Sequence, residues 1–120
     1  MFHLSLPVDR FAECLDFYAR CFGAEIVMLG DNAANVFVFG GQVTLHDRPG
    51  ALDDAQRRAM HFGHVVATDA WFAARDRIRE AGQTVLTCIE PGEASSGRGK
   101  LLLADPGGNL VEINSALPSS

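Results

Sequence analysis

At 120 residues with 48% hydrophobic residues, the chain has the size of one domain and enough apolar side chains to build its own core. A net charge of −5 with a pI near 5.2 and no basic run argue against nucleic-acid phosphate contacts. No apolar stretch is long enough to span a bilayer, and the opening MFHLSLPVD lacks the basic flank of a signal peptide.

FHLSLPV alternates Phe2, Leu4 and Leu6 against His3 and Ser5, the period-two pattern of a strand with one apolar face. Asp9 is expected to cap a helix whose apolar positions Phe11, Cys14, Leu15, Tyr18, Cys21 and Phe22 recur at helical spacing, with Gly23 ending it. EIVML and NVFVF flank the turn GDNAA as a hairpin, and QVTLH after the Gly-Gly pair makes a fourth strand. The polar stretch DRPGALDDAQRR reads as a connection. Then the order starts again. HFGHVVA is a strand, Asp69 is expected to cap the helix AWFAARDRIREAG, and Gly82 ends it. TVLTCI, the loop EPGEASSGRG, KLLLA, the turn DPGG and NLVEIN follow, and SALPSS is a frayed tail. Tyr18 and Trp71 read as core, RDRIRE as a solvated helix face, and Cys14, Cys21 and Cys88, with no C-x-x-C, as free thiols of a reducing cytoplasm.

The chain therefore reads βαβββ twice, as a single α+β domain over residues 1–120, with unit one at about 1–50 and unit two at about 59–115. Each unit alone would leave a sheet face poorly covered, so the two are expected to pack together. Strand alternation sorts the polar groups. His61, Gly63, Val65 and Ala67 share one face of the fifth strand, opposite Phe62, His64 and Val66, so His61 and His64 point in opposite directions. Glu112 shares a face of the last strand with Leu110 and Asn114, where a carboxylate needs a cationic partner or a metal. His3 and His61 hold equivalent places in the two units. Convergence of His3, His61 and Glu112 would leave open coordination positions suited to non-haem Fe2+, Mn2+ or Zn2+. The pattern alone favours the plainer alternative: half-exposed histidines, and a glutamate paired with a surface cation.

The doubled βαβββ order, with HLSLPVD, HFGHVVATDAW and DPGGNLVEI, resembles the vicinal oxygen chelate superfamily of glyoxalase I, extradiol dioxygenases, fosfomycin-resistance transferases and bleomycin-binding proteins. The resemblance covers nearly the whole chain and is nearest to small bacterial dioxygenase-like members. It implies a half-open barrel around a metal pocket. LADPGGNLVEI resembles the family's D-P-x-G-x-x-x-E pattern, which makes Glu112 a metal ligand; His3 corresponds to the first-strand histidine, and HFG points to His61 rather than His64. No catalytic residue is assigned.

The first unit's last strand departs from the glyoxalase I pattern, since GGQVTLHD carries no carboxylate before Asp47, only Gln42, Thr44 and His46. His46 is read first as a strand-end surface histidine, then as a metal-contacting group or a proton shuttle. Fosfomycin transferases carry basic residues for a phosphonate, for which GEASSGRGK offers Arg98 and Lys100. SSGRG, rich in Gly and Ser, reads as a hairpin connection or a loop over the pocket.

The resemblance implies a small metal-dependent enzyme, a dioxygenase, lyase, isomerase or transferase. It would hold a divalent ion (Fe2+, Mn2+, Zn2+ or Ni2+) that chelates two oxygens of a small substrate. The alternative is a non-enzymatic antibiotic-binding resistance protein with an acidic cleft. A cytoplasmic homodimer is expected, with no nucleic-acid or membrane partner.

Overall fold

The alternation in HLSLPV forms β1 (His3–Val8) in the computed structural model, which describes residues 1–116. Leu4 and Leu6 pack against the core, whereas Phe2 precedes the strand and is 70% exposed. The helical period then yields α1 (Phe11–Phe22), which buries Phe11, Cys14, Phe17, Tyr18 and Cys21. Gly23 closes it at φ 66°, a left-handed conformation that suits glycine, and donates its N–H to the Ala19 carbonyl. β2 (Glu25–Met28) and β3 (Ala33–Val38) pair as an antiparallel hairpin. The turn Phe39-Gly40, with φ of 56° and 70°, leads into β4 (Gly41–Asp47). β4 pairs antiparallel with β3 and parallel with β1, giving the order β1-β4-β3-β2.

The second unit repeats this plan. β5 (His61–Val66), α3 (Thr68–Glu80), β6 (Thr87–Ile89), β7 (Lys100–Ala104) and β8 (Leu110–Ser115) follow one another in the chain. They build a sheet of order β5-β8-β7-β6 in which β5 and β8 are parallel. The fold is thus α+β, two βαβββ units giving two four-stranded mixed sheets. A helical layer joins them: α1 packs on α3, and the rings of Tyr18 and Phe39 in the first unit lie 6.3 and 6.0 Å from that of Phe62 in the second.

The segment expected to be a plain connection contains a short helix, α2 (Asp54–Arg58). Asp53 and Gln56 start it by satisfying each other's backbone N–H groups. Its purpose in the fold is Arg57, whose side chain is 1% exposed. That guanidinium donates to Asn109 Oδ1 at 2.6 Å, to the Pro7 carbonyl at 3.2 Å and to Asp9 Oδ2 at 3.0 Å. Asn109 in turn donates to Asp105, which also accepts the Tyr18 hydroxyl at 2.8 Å. A buried polar chain therefore ties both units to the helix between them.

Several sequence expectations are corrected. Asp9 does not cap α1. Arg10 occupies the cap with φ 54° and no side-chain bond, because the Asp9 carboxylate is taken by Arg57 and by the Gly50 N–H. Asp69 does not cap α3 either: it sits inside the first turn after the cap residue Ala67 and accepts only from the Ala70 N–H. TVLTCI is a strand only over Thr87–Ile89. The RDRIRE face is not uniformly solvated, since Arg75 lies over the Phe72 ring and pairs with Glu90. Of SALPSS, Ser115 is a buried strand residue that accepts the Gly99 N–H at 2.5 Å, and residues 117–120 lie outside the described residues. Trp71, Tyr18 and the free thiols Cys14 and Cys21 are buried as expected, and Cys88 is half-buried.

Candidate metal centre

β5 and β8 are neighbours in parallel register, with His61 opposite Leu110 and Gly63 opposite Glu112. This offset brings two side chains of one face together: His61 Nε2 lies 2.8 Å from Glu112 Oε2. From β7, Lys100 Nζ stands 3.3 Å from the other oxygen, Glu112 Oε1. Glu112 is 12% exposed, against 57% for His61 and 45% for Lys100. The carboxylate is thus sunk between two groups that reach it from solvent.

Why this carboxylate stands here follows from its supports. Trp71, fully buried on α3, donates its indole N–H to the carbonyl of Ile113, the residue after Glu112. Asp105 accepts the N–H groups of Gly107 and Asn109 and so closes the turn that starts β8. Gly63 has a steric reason. A Cβ built there would lie 1.7 Å from the Glu112 carbonyl oxygen, so only glycine permits this approach of β5 to β8.

The first sheet carries the third expected ligand. His3 is exposed on β1, on the same face as Ser5. It is not brought to His61 and Glu112: among the described residues, no three His, Cys, Asp or Glu side chains stand close enough to hold an ion. His46 Nε2 lies 3.0 Å from Ser5 Oγ across β4 and β1, and Thr44 donates to Asn35 at 2.8 Å. His46 is therefore hydrogen-bonded to a neighbouring strand on the face that carries His3. His64 points the other way, its ring 5.7 Å from that of Phe39.

The donor chemistry of the pair suits a divalent ion. His61 Nε2 and Glu112 Oε2, 2.8 Å apart, are the donor types that would hold such an ion. The plainer reading also finds its partner here, since Lys100 is the surface cation a lone glutamate needs. A larger cleft of about 650 Å³ lies between α1 and α3, lined by Phe22, Phe39, His64 and Arg77 among others. The hollow at His61, Gly63, Glu112 and Asn114 is smaller, about 270 Å³. Size does not decide the matter: the adjacent nitrogen and oxygen donors are in the smaller one. Neither buried helix thiol is a nucleophile at neutral pH. Burial, then the charge of Asp105, pushes Cys14 up to about 12, and burial pushes Cys21 up to about 11.

Sequence reasoning missed Arg57 and its network, although Asp53-x-x-Gln56 is a legible helix start. Nothing in the sequence pattern marks the pairing of Tyr18 with Asp105, 87 positions apart.

The chain belongs to the Glyoxalase/Bleomycin resistance protein/Dioxygenase superfamily, whose family model matches residues 1–113. No curated protein matches it in sequence. Among solved structures it is similar to the genomically encoded fosfomycin resistance protein FosX from Listeria monocytogenes, with a TM-score of 0.77 and 14% identity, covering 97% of this chain and 92% of that one. Lactoylglutathione lyase from Agrobacterium tumefaciens gives a TM-score of 0.73 at 18% identity, covering 97% and 92%. A mutant of the Listeria FosX complexed with Mn(II) and 1S,2S-dihydroxypropylphosphonic acid gives 0.75 at 13% identity, covering 97% and 91%. At these identities the likeness is one of fold. No helix among the described residues is long and apolar enough to cross a membrane.

Proposed function

We propose that this superfamily member is a metal-dependent enzyme of glyoxalase or dioxygenase type, in which His3, His61 and Glu112 hold a divalent ion against two oxygens of a small substrate. The observation that carries the reading is the His61–Glu112 pair, 2.8 Å apart on one sheet face and fixed there by Gly63 and Trp71. Held by these residues, an ion of the Fe2+, Mn2+, Zn2+ or Ni2+ class would supply Lewis acidity to the two substrate oxygens. Mn(II) in the FosX mutant complex, which shares the fold, supports this choice of metals. The chain's own part is orientation: Glu112 arrives already placed by its neighbours, and His61 approaches from the open side.

The third ligand is assigned to a second copy. β1 and β5 each pair with a single strand, so each leaves one backbone edge free. Phe2, Met60 and Val65 expose large apolar surface on or beside these strands, 70%, 50% and 58% respectively. A homodimer that sets β1 of one protomer beside β5 of its partner would cover both edges and bring His3 to His61 and Glu112.

The test is the metal content of protein purified anaerobically without chelator, for the parent, His61→Ala and His64→Ala. Near-stoichiometric metal is expected in the parent and in His64→Ala, and none in His61→Ala. No metal in the parent, even after reloading, overturns the reading in favour of a metal-free antibiotic-binding protein. Mixing His3→Ala with Glu112→Gln chains tests the shared site. A mixed dimer regains one intact set only if the ligands come from different copies.

A further inference from the structure

The larger cleft, about 650 Å³, is lined by His64 and Val66 of β5 and Ile113 of β8, whose side chains point away from the face that carries His61 and Glu112. From α3 it is met by Ala73 and Ala74, side chains too small to fill the gap. Phe22, at the end of α1, and Phe39, in the turn between β3 and β4, complete its aromatic lining. Phe39 has φ of 56°, a left-handed conformation unfavourable for a bulky residue. Its ring stands 5.0 Å from that of Phe22 at an interplanar angle of 74°, and 5.7 Å from that of His64 at 40°. The three rings make an open corner. Phe22 and Phe39 are half-buried and His64 is exposed, whereas Phe17 and Tyr18 of the same aromatic cluster are sealed.

The mouth of the cleft is acidic. Asp76 and Glu80, one turn apart on α3, line it and are exposed. Asp76 is held by Arg75 at 3.0 Å, but among the described residues no cation stands within ion-pair distance of Glu80. Arg77, the one arginine or lysine among the lining residues, is turned towards α1. Its Nε donates to the Arg20 carbonyl at 3.0 Å, and its Nη2 lies 3.2 Å from where a Cβ at Gly23 would stand, so it caps the carbonyl end of α1. Aromatic faces carry negative potential and attract cations, and a carboxylate beside them adds to the attraction. An anion would meet Asp76 and Glu80 on a chain whose net charge is −5.

We propose that this cleft is a second binding site, for a small organic cation: an amine or quaternary ammonium carried on an apolar body. The cationic head stands in the corner of Phe22, Phe39 and His64 with Glu80 as its counter-charge, and the body lies along Ala73, Ala74 and Val66. His61 and Glu112 face the other side of the sheet, so the site takes its ligand without a metal ion and does not rest on the metal reading above.

The experiment is a titration of the isotope-labelled full chain with benzyltrimethylammonium, benzyl alcohol and phenylacetate, which share a phenyl group and differ in charge, followed by the amide chemical shifts. The cation is expected to shift the amides of Phe39, His64 and Ala74 and to bind about tenfold more tightly than the alcohol, with phenylacetate weaker still. Glu80→Gln, a change at an exposed position, should weaken the cation by about threefold and leave the alcohol within about twofold. Phe39→Leu keeps apolar bulk but removes the ring, and should weaken the cation by about tenfold in a protein that thermal melts show to be folded. If Phe39→Leu does not fold, Glu80→Gln still decides the matter. Equal affinity for cation and alcohol, shifts confined to the hollow at His61 and Asn114, an unchanged cation affinity in Glu80→Gln, or no binding of the cation at about 10 mM each overturn the proposal and leave the metal site untouched.

Discussion

Gly63→Ala is the substitution that most directly joins the fold to the site. A Cβ at this position would lie 1.7 Å from the Glu112 carbonyl oxygen, 2.7 Å from its carbonyl carbon and 3.0 Å from its nitrogen. All three are backbone atoms, so no side chain can rotate away. Restoring an ordinary contact requires β5 and β8 to part by roughly 1.5 Å, which carries the local N–H···O bonds of a ladder beyond bonding length. Two such bonds at about 1 kcal/mol each, with an overpacking cost of about 1–3 kcal/mol, give a destabilisation of about 3–5 kcal/mol. For a domain of this size that lowers Tm by roughly 12–20 °C. Thermal melts followed by circular dichroism measure it, with Leu86→Ala as the control because Leu86, just before β6 at the other edge of the sheet, is exposed and should cost under about 0.5 kcal/mol. His61 and Glu112 separate with their strands, so bound metal should fall as well. A Gly63→Ala protein melting within about 3 °C of the control would refute the steric argument, because 1.7 Å cannot be accommodated without strand movement.

Three further predictions concern the buried groups. Arg57→Ala removes the donor that serves Asn109, Pro7 and Asp9. Breaking a buried pair costs about 3–5 kcal/mol; because Asp9 is one-third exposed and regains water, a loss of about 2–4 kcal/mol in urea unfolding is expected. A loss below about 1 kcal/mol would show that the polar chain does not hold the units together. Alkaline stability should reflect Cys14, Cys21 and Tyr18, all of which burial raises, with the Asp105 charge adding to Cys14 and Tyr18. Their neutral forms are favoured in the folded state, so the stability they contribute is complete below pH about 9 and is lost as pH rises from there towards about 12. Melts at pH 7.5, 9 and 10.5, taken here as roughly evenly spaced points across that window, should show a decline only at the last. Native protein at neutral pH should offer a thiol reagent only the half-buried Cys88, against three thiols after denaturation.

The element order was legible because each signal is local. Period-two alternation in HLSLPV and HFGHVV, helical spacing from Phe11 to Cys21, and glycine at Gly23 and Gly82 act within a few residues, and each element forms where the pattern says. Strand alternation also separated His61 from His64, since opposite faces follow from backbone geometry alone. The helix caps were misread for a physical reason. Asp9 is a good cap in isolation, but a carboxylate beside a buried guanidinium gains more by pairing with it, and Arg57 is 48 positions away.

Register is where the sequence stopped. That Glu112 meets His61 and Lys100 depends on a β5–β8 offset set by Gly63 and on a β7–β8 pairing that local pattern does not specify. The sequence by itself determined two βαβββ units and which polar side chains share a face, because short-range sterics and periodicity dictate both. Only the tertiary structure decided that His61, Glu112 and Lys100 meet while His3 stands apart on another sheet, because strand register and the packing of two separate sheets are settled by contacts between residues far apart in the chain.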